Sequence, residues 1–60
     1  MKIIKGIQTN KYEVYIIETD EGMYYVDYRN GNTEGQSDPL FDYNIASHLF
    51  YLKVRDMEGV

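Results

Sequence analysis

Cysteine and tryptophan are absent from this chain of 60 residues, and proline and histidine occur once each. Without Cys no disulfide can brace the fold, and nothing ties the chain to an oxidising compartment. One His and no thiol leave no basis for a structural zinc site. Positive charge is scarce: 6 Lys and Arg stand against 10 Asp and Glu, giving a net charge of −4. Phosphate binding needs clustered cations, so direct nucleic-acid binding is not expected. An acidic chain seeks a basic surface instead, including one built to hold DNA, although −4 also simply keeps a small domain soluble. No apolar run approaches the roughly 20 residues of a membrane helix. The segment from Met1 to Lys5 is far too short for the apolar region of a signal peptide. These absences point to a cytoplasmic protein with no membrane contact, no metal and no cofactor.

What is present is a foldable composition, 43% hydrophobic and 15% aromatic, which excludes a disordered tail. A chain this short holds one core, and its stability is marginal without help. With disulfides and metals set aside, self-association is the remaining aid.

Residues 1–10 read as an extended arm or irregular edge strand. In residues 11–19, Tyr12, Val14 and Ile16 alternate with Glu13, Tyr15 and Ile17, the period of a strand. Asp20-Glu21-Gly22 reads as a tight loop, with Gly22 free to take a left-handed conformation at its last position. Residues 23–29 alternate again, with Tyr24, Val26 and Tyr28 on one side and Tyr25, Asp27 and Arg29 on the other. A three-residue loop sets Ile16 opposite Val26 and Val14 opposite Tyr28, so both strands turn the same apolar face to the core. Asn30 to Gln36 is polar and Gly-rich and reads as a loop. Ser37-Asp38-Pro39 gives a helix-start signal, predicting a helix over residues 38–46.

Residues 48–55 fit two patterns. Ile45, Leu49 and Leu52 fall at helical spacing and would prolong the helix. Phe50, Leu52 and Val54 alternate with Tyr51, Lys53 and Arg55, and the aromatic and β-branched content favours a last strand. The expected fold is therefore α+β, a three-stranded antiparallel sheet with one short helix in the order β-β-α-β, forming a homodimer.

Catalysis is not expected. His48 is the only imidazole and lies beside no Ser or Asp at a recognisable spacing. The carboxylate pairs Glu18 with Asp20 and Asp38 with Asp42 need a concave pocket, which so small a domain rarely encloses. Seven tyrosines exceed what this core can hold. Those facing away from the helix either roof a thin sheet or form an interface. On a helix over 38–46, Asp38 and Asp42 project from one face, a turn apart, at a separation approaching that of successive DNA phosphates. The plainer alternatives are a cap for Asp38 and a solvated face for Asp42.

The series Tyr12-Glu13-Val14, an acidic turn ending in Gly22, then Tyr25, Asp27, Tyr28 and Gly31 resembles the first hairpin of the small dimeric uracil-DNA glycosylase inhibitors of Bacillus phages. Phe41-Asp42 resembles the Phe-acid pair on their helix, and Leu52-Lys53-Val54 their last strand. The similarity runs from Tyr12 to Arg55. It implies a dimer in the bacterial cytoplasm whose helix enters the DNA cleft of the host enzyme by mimicry. The enzyme's minor-groove wedge residue would then lie in a hydrophobic box at the dimer interface. Carried across, Phe41 lines the box, Asp42 stands in for phosphate and Asp27 is the acid on the second strand. Tyr25, Asp38, Tyr43 and Ile45 complete the partner-binding set. The family's helical Tyr is replaced here by Ile45, with Tyr43 the nearest Tyr.

A second resemblance, to the partial fold of HicB-type antitoxins, rests on the strands, the acidic Gly turn and Thr33-Glu34-Gly35 before a helix. It implies a protein that neutralises a small RNA-cleaving toxin and ends in a helix after Ala46. Another small host-takeover protein is the third alternative.

Overall fold

Four strands and a helix follow one another in the computed structural model, which describes residues 1–59: β1 (Lys2–Gln8), β2 (Tyr12–Glu18), β3 (Tyr24–Asn30), β4 (Glu34–Gln36) and α1 (Tyr43–Glu58). The strands form one antiparallel sheet in the order β1-β2-β3-β4. The chain is thus α+β, with the central hairpin in the register that alternation requires. Ile16 faces Val26 and Val14 faces Tyr28. The loop closes with Gly22 at φ 83°, where a side chain would be strained, and the Thr19 amide donates to the Met23 carbonyl at 2.8 Å.

One face of this hairpin is the core. Val14, Ile16 and Val26 have at most 1% of their surface exposed, and Ala46, Phe50 and Met57 of α1 close over them. Full burial of each aliphatic side chain is worth about 1.5–3 kcal/mol, so these few residues supply most of the driving force. The helix lies across β2 and β3. Tyr15, Ile17, Tyr25 and Asp27 consequently point to the opposite, open face of the sheet.

The arm is an edge strand. β1 pairs with β2 from Gln8↔Glu13 to Lys2↔Glu18, with an irregularity between Ile3 and Lys5. Gly6 sits under the Tyr15 ring, where a Cβ would collide with it. Lys5 turns toward the helix. Its Nζ donates to Tyr51 Oη at 2.5 Å and lies 4.6 Å from the centre of that ring.

Four expectations are corrected. The sheet has four strands, and the order is β-β-β-β-α. Part of the Asn30–Gln36 loop is β4, whose Gly35 pairs with Tyr28. The helix expected over residues 38–46 starts only at Tyr43. Pro39 disfavours helical backbone at Asp38, and Leu40 exchanges both backbone hydrogen bonds with Tyr24, at 2.8 and 2.7 Å. Ser37 is occupied too, its Oγ accepting from the Val26 amide at 2.9 Å. Finally, residues 48–55 are helical, and the expected last strand does not exist. Spacings of four and seven between Ala46, Phe50 and Met57 put all three on the buried side. The hairpin needed a cover more than a further strand, and tertiary packing overrode the local β preference.

Two outcomes follow from this packing. Phe50→Ala should cost about 3–5 kcal/mol in urea unfolding, a large share of the stability of so small a domain. The second concerns alkaline pH. The hydrogen bond to Tyr51 raises the pKa of Lys5 above 10.5. Hydrogen bonds to Glu58 and Glu13 raise Tyr12 and Tyr15 above 10.0. In each case the folded value exceeds the unfolded one, so the contribution is whole below the ordinary value and lost as pH climbs through the folded value. Thermal melts should show Tm falling above pH 10, and less steeply in Tyr12→Phe.

Candidate functional site

The turn that leads into α1 carries the most exposed large apolar side chain among the described residues. Leu40 is held against Tyr24 by its backbone, which fixes where the next residues emerge. Asp42 follows as the N-cap, with extended backbone (φ −109°, ψ 120°) and Oδ1 accepting from the Asn44 amide at 2.7 Å. That bond satisfies one of the free amides of the first helical turn and leaves the second carboxylate oxygen facing water.

Phe41 precedes the cap. A hydrophobic residue at this position ordinarily packs on the fourth helical residue. Here the fourth residue is Ala46, already sealed in the core, and Phe41 is 85% exposed. Among the described residues the ring belongs to no part of the core. Ile45 is 56% exposed, and Asp38 stands in water just upstream. The arrangement is one large apolar side chain flanked by carboxylates, with a second apolar residue on the first turn of the helix. It can contact a partner that combines cations with an apolar projection or socket.

The structure groups some of the expected site residues and separates others. Phe41, Asp42 and Ile45 lie together at the start of α1, with Asp38 in the preceding extended segment instead of on the helix. Tyr43 serves packing, its ring meeting Tyr24 edge-on at 5.5 Å. Tyr25 and Asp27 lie on the open face of the sheet, away from α1. Asp27 there borders a shallow polar depression with Arg29, Glu34 and Gln36. Leu52 was expected inside a strand and is instead 45% exposed on the helix. Its helical spacing from Ile45 was the signal that pointed there.

Charge is segregated along the chain. Residues 1–11 contain Lys2, Lys5 and Lys11 and no acid, so residues 12–60 carry three cations against ten acids, a net of −7. The acidic part includes the entry to α1. Among the described residues no group of His, Asp and Glu could hold a metal ion, and no helix is long and apolar enough to cross a membrane.

Compared with known protein families, curated proteins and solved structures, the chain matches none.

Asp42 and Phe41 should separate cleanly in stability measurements. Asp42→Ala should lower stability by about 1 kcal/mol through loss of the cap. Phe41→Ala should change it by less than about 0.5 kcal/mol, since the ring is largely in solvent. Urea unfolding of the two variants checks the contrast.

Proposed function

We propose that this protein is a phage inhibitor of the host's uracil-DNA glycosylase, acting in the bacterial cytoplasm by occupying the enzyme's DNA cleft. The observation that carries this reading is Phe41, 85% exposed and flanked by Asp38 and Asp42. A DNA-repair enzyme must keep its cleft cationic, and it needs an exposed wedge to open the duplex. Carboxylates beside a greasy contact engage two features that such an enzyme cannot discard. The acids speed encounter, and apolar burial, worth about 1.5–3 kcal/mol for one such side chain, slows release.

The reading includes a homodimer. Ile3, Tyr15, Ile17 and Tyr25 form an apolar area on the open face, with Ile3 61% exposed, and a second copy would cover it. Because the order of elements is β-β-β-β-α, the proposal rests on the hairpin residues and surface chemistry, and not on the strand order that the resemblance implied.

One observation favours the second reading, an antitoxin of HicB type that neutralises an RNA-cleaving toxin. The helix Tyr43–Glu58 runs through residues 48–55 directly after the sheet, which is the order that reading expects. Both readings describe a small acidic protein that silences an enzyme acting on nucleic acid.

Titration into a bacterial uracil-excision assay decides between them. Micromolar protein should abolish excision, and undiminished excision would end the first reading. Loss of toxin RNA cleavage in a parallel assay would establish the second. Asp42→Asn keeps a good cap while removing the charge, and should weaken inhibition with Tm unchanged.

A further inference from the structure

We infer that the contact surface does not stop at the start of α1 but continues along the helix as a ridge that lies in an apolar groove of a cationic partner. Ile45 and Leu52 are 56 and 45% exposed, and their spacing of seven sets them on one line of the helix, while Phe41, 85% exposed, stands ahead of the cap at the upstream end. Leu49, half-buried, fills the gap between Ile45 and Leu52. From Ile45 to Leu52 the line spans about 10 Å at the helical rise of ~1.5 Å per residue. This is the anchor pattern of a helix recognised in a groove. Two shallow depressions lie beside Leu52, one formed with Arg55 and Asp56, the other with Leu49, Lys53 and Asp56, and both accept projecting side chains of a partner.

Charge selects the occupant. The ridge begins at Asp38 and Asp42, and the chain carries a net charge of −4. Of the two cations beside the ridge, Lys53 is engaged, with its Nζ 4.1 Å from the centre of the Tyr28 ring and 3.9 Å from Asp56, and Arg55 stands at the Leu52 end, away from Asp38 and Asp42. A second copy laid on the ridge brings the same net −4, so overall repulsion opposes it. A groove with apolar walls and Lys or Arg at one end satisfies both halves. The identity of that partner as a DNA-cleft enzyme rests on the inhibitor reading above; the ridge adds Leu49 and Leu52 to its contact set.

Ile45→Gln and Leu52→Gln test the ridge without altering charge and hence steering. Each should raise the concentration needed for half-inhibition of uracil excision at least about tenfold, with Tm unchanged, because both side chains belong to the desolvated centre of the contact. Wild-type potency in both variants, beside an inhibitory wild-type protein, overturns the ridge and leaves the inhibitor reading intact. Failure of the wild-type protein to inhibit overturns that reading and the ridge's partner with it. Sedimentation adds an independent arm. If either variant converts a dimer to monomers, a second copy covers the ridge and the proposal is wrong.

Discussion

One contact organises this molecule: the strip Ala46–Phe50–Met57 of the helix laid across Val14, Ile16 and Val26 of the central hairpin. A side chain as small as Ala46 lets helix and sheet approach closely, and Phe50 fills the space beside it. With one helix about 10 Å wide and strands about 4.8 Å apart, only two of four strands can be roofed. The remaining architecture is a response to that limit. β1 is held by its ladder and by Lys5 reaching to Tyr51. Tyr28 lies over Gly35 of β4. One face of the sheet and one line of the helix stay in solvent, and those are the surfaces left for partners.

The hairpin was legible because two independent rules converge on it. Alternation named the buried side of each strand, and a loop ending at Gly22 set the same register. The second half obeyed no single local rule. Residues 48–55 carry both a period near 3.6 and a period of two, and the choice depended on how many strands β1 left to be covered. The late start of α1 was hidden because Ser37-Asp38-Pro39 has the composition of a cap. Whether such residues begin a helix is decided by a distant strand, here by Tyr24 pairing with Leu40. Phe41, Asp42 and Ile45 stood out in the sequence; their grouping with Leu52 required knowing that the helix continues.

The polar surface follows a division of labour. Three lysines are confined to the first strand and the turn after it, while every carboxylate lies beyond them. The segregation is one of sequence: in the fold Lys2 lies opposite Glu18 across the β1–β2 ladder, and Lys11 reaches the Glu58 carbonyl at 3.5 Å.

The outer margin of β1 presents the outward backbone groups of alternate residues unpaired, which in many proteins invites fibril growth by strand-to-strand addition. Here Lys2 and the inward-leaning Lys5 flank an interrupted ladder at Ile4, and an incoming β-strand meets charge and broken spacing. The cation that latches the helix to the sheet thus also sits where a strand adding to that margin would have to pair.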